Sequence, residues 1–557
     1  MKIKNIGGKL IAILILAVTL LLMNRFSYIA ENYGYSADAE EIRLNDGWTV
    51  TVNESTYRDV DLQNFSFPVV GKGDSLSMTT TLPTGLEKAT TLRLLTYLSV
   101  VNVYIDDSQI YEYGQEKQEK GRMVGSGYHF IELPPDAAGK TIIIEMNPTE
   151  EDAFTSITPP RVVETSSAYQ IFLEENKLSL SIGVFLFVLG FLLTAISCVA
   201  ALFNKEYARL VWIGLFSFLL GVWTLCNTKV FQLFSTELSL NAQIEYLTLY
   251  LAPTPFCMIL LETRKQIALW RKKVIMGCTI AVFGFSCVTF LLHITDTVHY
   301  PATVTAFHVI AAVGMLVCIV LTLHNWRKMR LSDLVMYAGI AVLSVFVAAD
   351  LVRFNLQKYV ISASEKLTTS CLPIGTLLFV LFMIVSYIIY LYDRVLSKAE
   401  EESLQRIAYC DALTGLYNRT KCEELFAELD GSEEDFGLIS FDMNGLKKRN
   451  DTYGHAEGDK MLISFAKSLK EVFGKHADVI RMGGDEFLVL IRQAELGRME
   501  DLLGKFQKQM EAERSDPSEP LAAAYGACKR SECEEKNAEK VYIQADARMY
   551  KMKHAEN

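Results

Sequence analysis

Cysteine is absent from the first 197 residues of this 557-residue chain, and none of its eleven cysteines has CxxC or Cys/His ligand spacing. That excludes a zinc ribbon and the disulfide frameworks that staple small exported domains. Seven cysteines (Cys198, Cys226, Cys257, Cys278, Cys287, Cys318 and Cys371) sit in apolar runs; the others are Cys410, Cys422, Cys528 and Cys533. Positive charge is also short. Against 65 Asp and Glu stand 54 Lys and Arg, a net charge of -11, which argues against nucleic acid as a partner. Apolar sequence is plentiful: half of the chain is hydrophobic and mean hydropathy is +0.20, so membrane segments are expected. The length allows about three or four domains.

Lys2, Lys4 and Lys9 precede the apolar run 10–23, which places the N-terminus inside. Residues 1–30 therefore read as a membrane anchor or a signal segment, with the uncleaved anchor favoured because a small-x-small cleavage site is poor there. On either reading the next stretch of chain is exported. Residues 31–175 carry short alternating runs at 48–52, 75–82, 98–105, 109–113, 128–133 and 141–146, separated by turn signals such as Asp106-Asp107-Ser108 and Pro134-Pro135-Asp136. This pattern predicts an extracytoplasmic all-β sandwich. It resembles the jelly-roll sensor domains, related to carbohydrate-binding modules, that precede some bacterial membrane receptors. The resemblance implies a carbohydrate or other small-molecule ligand. Trp48, Tyr104, Tyr111 and Tyr113 are then either a sugar-stacking surface or core, and period-two spacing favours core.

Seven apolar runs follow, roughly at 178–203, 207–228, 240–262, 274–294, 301–324, 332–353 and 370–392, each long enough to span a bilayer. Arg264, Lys265, Arg271, Lys272 and Lys273 lie between the third and fourth, and Arg327, Lys328 and Arg330 between the fifth and sixth. Arg394 and Lys398 follow the seventh. This alternation predicts a multi-pass protein of the inner membrane, in contact with lipid, with a cytoplasmic C-terminus; Lys358 and Lys366 on the outer side are a mild violation. Region 176–393 resembles the seven-transmembrane receptors with diverse intracellular signalling modules. A transporter is the competing reading, but few charged residues fall at mid-membrane. Residues 394–410 are charged and helix-forming, with a thin apolar stripe of Val395, Leu404, Ile407 and Ala408. They read as a helical signalling linker, either a short coiled coil or a single solvated helix.

The C-terminal part, 411–557, holds Arg481-Met482-Gly483-Gly484-Asp485-Glu486-Phe487 between two β-rich runs. The glycine pair predicts a hairpin tip and lets another molecule approach the backbone. Two adjacent carboxylates at such a tip need a cation or a proton, so the stretch reads as a divalent-metal or acid/base site. Three further blocks accompany it: Asp411–Arg419, where Asn418 caps a helix running to about Leu429; Asp442–Asp459, at the end of a buried strand; and Ala545–Lys553 on a helix. All four blocks, in order and spacing, are similar to those of the GGDEF family of diguanylate cyclases.

That resemblance implies an α+β cyclase fold and a reaction joining two GTP into cyclic di-GMP and two pyrophosphates, which requires a homodimer. It implies Mg²⁺, or Mn²⁺, held by Asp442, the Met443 carbonyl and Asp485. Asp485 or Glu486 takes the proton. Gly445, Leu446 and Lys447 hold phosphate, with Gly483 and Gly484 beside them, and Lys553 neutralises the terminal phosphates. Asn450 and Asp459 read the guanine edge, whose N1–H and 2-amino group are donors that a carboxylate accepts. Two departures stand out. Asn444 replaces a common second aspartate, and Lys475-His-Ala-Asp478 stands where many relatives have Arg-x-x-Asp. Lysine lacks the planar fork of arginine, so weak or absent product inhibition is expected. The alternative is a catalytically silent domain of the same fold that binds GTP or a partner.

Overall fold

A computed structural model describes residues 41–65, 69–86, 89–151, 153–154, 157–263, 267–323, 329–359, 372–514 and 522–555; the expected anchor at 1–30 lies outside the described residues. The chain divides into two compact units, Met1–Tyr390 and Leu391–Asn557.

The first unit begins with strands β1 (Glu41–Arg43), β2 (Trp48–Val52), β3 (Ser55–Val60), β4 (Leu76–Thr81), β5 (Thr90–Tyr97), β6 (Ser99–Ile105) and β7 (Ser108–Tyr113). A short helix α1 (Gln115–Glu119) precedes β8 (Ser126–Glu132), β9 (Thr141–Pro148) and β10 (Arg161–Glu164). They form two antiparallel sheets, ordered β1-β10-β5-β8 and β3-β2-β4-β9-β6-β7. Val50, Met78, Val103 and Ile144 of one sheet share a core with Leu92, Leu94, Ile131 and Val162 of the other. Trp48 is fully buried and donates its indole N–H to the Leu44 carbonyl at 2.7 Å, so it is core. The Tyr111 hydroxyl lies 2.9 Å from His129 Nδ1, inside a buried polar group that includes Thr96.

Strands β1, β3, β5 and β10 were not expected, for physical reasons. β3 is a polar, mostly exposed edge strand. β5 buries four consecutive residues, which hides its alternation. β1 and β10 have three and four residues, too few for a period to show.

Helix α2 (Ala168–Glu175) leads to the apolar helices α3 (Lys177–Phe203), α4 (Ala208–Asn227), α5 (Leu238–Leu251), α6 (Pro253–Thr263), α7 (Leu269–Ile294), α8 (Tyr300–Thr322), α9 (Leu331–Tyr359) and α10 (Leu372–Tyr409). Among the described residues they supply seven candidate membrane spans, α5 and α6 together making one, broken before Pro253. Close approach of α3 and α4 depends on glycine: a Cβ at Gly190 would lie 2.2 Å from the Phe218 backbone nitrogen, and one at Gly221 2.4 Å from that of Phe187. One buried charge has no signal in the sequence. Arg209 donates to Ser386 Oγ at 2.7 Å, Ser386 donates to the Ser332 carbonyl at 2.6 Å, and the guanidinium sits 5.9 Å from the rings of Tyr387 and Tyr390.

The second unit contains α11 (Arg419–Asp430), β11 (Phe436–Met443), α12 (Leu446–Tyr453), α13 (His455–Phe473), β12 (Asp478–Gly483), β13 (Glu486–Arg492), α14 (Met499–Arg514), β14 (Ala523–Lys529) and α15 (Ala538–Ala555). The antiparallel sheet runs β12-β13-β11-β14. Central strand β11 is buried at all eight positions. Ile439, Phe441 and Met443 face a core shared with α13 and α14, and Phe436 and Leu438 face one shared with α11 and α15. Covering both faces is why this strand is apolar at all positions but Ser440 and Asp442.

Candidate active site

The site is built at one end of β11. Asp442 is the penultimate residue of that strand and is paired in register with Glu486, the first residue of β13. The next residue, Met443, donates its N–H to the Asp485 carbonyl at 3.0 Å, which pins the hairpin tip to the end of the central strand. The tip turns through Gly484 at φ +53°. Immediately after β11, Gly445 takes φ +85°, a conformation open to glycine, and the chain enters α12.

Between the tip and the start of α12 lies a cavity of about 510 Å³, lined by Met443 to Lys448, Asp451, Thr452, Asp485 and Lys553. Of the residues singled out in the sequence, it brings together Met443, Gly445, Leu446, Lys447, Asp485 and Lys553. Asp442 joins them through Lys553, whose Nζ donates to both carboxylate oxygens at 2.7 and 2.6 Å. Glu486, Gly483, Gly484, Asn450 and Asp459 lie outside the lining. Asn450 packs against α13 so closely that a Cβ at Gly458 would fall 1.9 Å from its Oδ1, and exposed Asp459 is the next residue.

Negative charge accumulates here. Burial first, then the carboxylates of Asp546, Asp485 and Asp442, push the Glu486 carboxyl above its ordinary range, with Lys553 partly offsetting them. Asp546 on α15 accepts from Ser440 Oγ at 3.3 Å and has no expected role in the sequence; like-charge crowding is a property of the fold and leaves no local signal. Arg481 was missed as well. Its Nε and Nη2 donate to the Gly484 carbonyl at 3.2 and 2.8 Å, and its Nη1 donates to Asp411 at 3.0 Å. The Asp411 carboxyl also accepts from the Thr414 N–H and hydroxyl. Burial raises its pKa, but these bonds and Arg481 outweigh burial and hold it below the usual value. Tyr417 bridges β12, donating to the Val479 carbonyl and accepting from the Arg481 N–H. The Asp411–Arg419 signature is thus a brace for the hairpin tip, and Asn418 caps α11 by accepting from the Lys421 N–H.

Among the described residues, no three His, Cys, Asp or Glu side chains converge to hold a metal ion. Asp442 near the end of β11, already facing a lysine ammonium, and Asp485 in the hairpin tip offer hard carboxylate oxygens, incomplete in number. That set fits a hard divalent cation such as magnesium, completing its shell with oxygens from outside the protein.

Residues 408–557 match the family described as diguanylate cyclase, GGDEF domain, and residues 179–387 match 7TM diverse intracellular signalling. The probable diguanylate cyclase DgcJ of Escherichia coli strain K12 is 37% identical over 94 residues, covering 16% of this chain and 19% of that protein. Diguanylate cyclase DgcM of the same strain is 33% identical over 109 residues, covering 19% of this chain and 27% of DgcM. The chain therefore spans about a quarter or less of the length of these two relatives. An uncharacterized 19.3 kDa protein of Streptomyces ambofaciens is 31% identical over 143 residues, covering 26% of this chain and 77% of that protein. Fold and matches together define a membrane protein in which a seven-transmembrane signalling region precedes a cyclase-type domain. The chain belongs to the GGDEF family, as a homologue of diguanylate cyclases.

Proposed function

We propose that this protein is a membrane-bound diguanylate cyclase that condenses two GTP into cyclic di-GMP and two pyrophosphates under control of an extracytoplasmic signal. The observation that carries the reading is the cavity at the end of β11, where Asp485, Lys447 and Lys553 line one space and Asp442 is bound to Lys553. Lys447 and the N–H groups at the start of α12 would hold phosphate oxygens. Asn450 and Asp459 would bind the guanine edge. Asp442, the Met443 carbonyl and Asp485 would hold Mg²⁺ or Mn²⁺, which when bound lowers the pKa of the attacking 3′-hydroxyl and neutralises phosphate charge. Glu486, whose proton affinity is raised, is suited to accept the proton of that hydroxyl, with Asp485 as the other candidate. Lys553 would exchange Asp442 for the terminal phosphates.

Each domain would carry one GTP, so catalysis requires a homodimer. The proposed arrangement has an anchor at 1–30, a sensor at 31–175 outside the inner membrane, spans within 176–393, a linker at 394–410 and the cyclase at 411–557 inside. The linker would set activity by shifting the population of aligned dimers. Lys475 and Asp478 would give weak product inhibition at most.

One observation favours the silent alternative, a domain that binds GTP without turnover: Lys553 covers both oxygens of Asp442. Incubation of the full-length protein with GTP and Mg²⁺ separates the two. Cyclic di-GMP made by the parent and lost in Asp485→Ala supports the cyclase; GTP retained without product by a parent that dimerises supports the silent module.

A further inference from the structure

The β-sheet region is docked on the ends of α5 and α7 through polar and close backbone contacts. The Gln232 side chain, between α4 and α5, donates to the Tyr128 carbonyl at 3.0 Å and accepts from the Tyr128 N–H at 2.9 Å. Ser239 on α5 donates to the Met123 carbonyl at 2.7 Å. A Cβ at Gly125 would lie 2.3 Å from the Leu238 carbonyl oxygen, so the backbones touch. Beside this contact lies a cleft of about 370 Å³ whose lining includes Lys117, Arg122, Glu237, Gln243, His293 and Asp296. Its volume falls within the ~300–1,000 Å³ typical of small-molecule sites, at the small end.

The charges are sorted by wall. Lys117 and Arg122, from the β region, are positive; Glu237 and Asp296, from the helix side, are negative. They pair across the cleft, Lys117 Nζ to Glu237 at 2.6 Å and Arg122 Nε to Asp296 at 3.6 Å. Their formal charges sum to zero, so a ligand of one sign would meet as much repulsion as attraction. A molecule carrying both signs would exchange each ion pair for another and keep the balance. His293, only 5% exposed, lines the same cleft, and its Nδ1 has no hydrogen-bond partner among the described residues. An unpaired buried ring nitrogen is costly, and a ligand group that bonded it would relieve that cost.

We infer that this cleft binds a small zwitterion of amino-acid type, its carboxylate on Arg122 and Lys117 and its ammonium on Glu237 and Asp296. The site spans the β region and two transmembrane helices, so occupancy would report on their contact. It is separate from the GTP cavity, and its test needs no enzymatic activity.

The test is calorimetric titration of the full-length protein in lipid nanodiscs with a pool of the protein amino acids, each at about 1 mM, high enough to fill a site of modest affinity. A parallel titration uses a pool of neutral monosaccharides. Heat of saturable binding is expected with the amino acids alone. Arg122→Glu, a substitution at a side chain 61% exposed, is expected to weaken that binding by about tenfold or more, and so is Glu237→Gln, with melting of the unliganded protein unchanged. No binding of any amino acid, binding of sugars instead, or amino-acid binding indifferent to both substitutions would overturn the assignment.

Discussion

Replacing Lys553 with methionine removes the ammonium that donates to Asp442 while keeping an apolar stem of similar length. Asp442 is 8% exposed and loses two charge-assisted bonds, of 2.7 and 2.6 Å, while the carboxylates that crowd Glu486 remain. Breaking a fully buried pair costs about 3–5 kcal/mol. The Lys553 side chain is 36% exposed, so water screens the pair and the loss reduces to about 2 kcal/mol. The second unit carries its own reporters, Cys422 and Cys528, at 1% and 0% exposure. Pulsed thiol labelling of the full-length protein therefore reads the opening of that unit. Lys553→Met is expected to speed Cys422 labelling by about 30-fold, the rate equivalent of 2 kcal/mol. Adding Asp442→Asn should restore part of the protection, because a neutral amide needs no counter-charge. Labelling of Lys553→Met within about twofold of the parent, or a double variant no better protected than the single, would refute the reasoning.

Three other substitutions probe the site and the packing that supports it. Gly458→Ala puts a methyl 1.9 Å from Asn450 Oδ1, yet alanine suits a helix by up to ~1 kcal/mol, so KM for GTP should rise about tenfold while the thermal midpoint stays put. Glu486→Gln tests the raised carboxyl. A group whose folded pKa exceeds its unfolded one destabilises the fold once ionised, so the variant should be more stable than the parent at pH 7–8. The difference should vanish below the ordinary glutamate pKa, where the parent side chain is neutral in both states. Gly526→Ala in β14 would drive a Cβ to 2.2 Å from the Ala545 carbonyl oxygen and the Met549 nitrogen on α15, and denaturant unfolding should show a loss of about 3 kcal/mol.

The seven candidate spans were legible because a bilayer demands long apolar runs; the first six lie close to the runs expected, while the last helix continues beyond its run to Tyr409. So was β11, where a run of apolar residues broken only by Ser440 precedes an aspartate. What stayed hidden depends on partners far along the chain. Arg481 looks like an ordinary strand residue until the fold sets it between Asp411 and the Gly484 carbonyl. Arg209 looks like a flanking charge until it meets Ser386, 177 residues away. The block around Lys553 points to phosphate, and nothing local shows that its ammonium also reaches Asp442.

The most direct measurement of the central idea is Mn²⁺ binding by electron paramagnetic resonance, with and without a non-hydrolysable GTP analogue, in the full-length parent and in Asp485→Asn. The expected result is tight Mn²⁺ uptake that depends on the analogue and is lost in the variant, because substrate phosphates complete a shell that two carboxylates begin. Equal uptake by parent and variant, or none by the parent with the analogue bound, would contradict it.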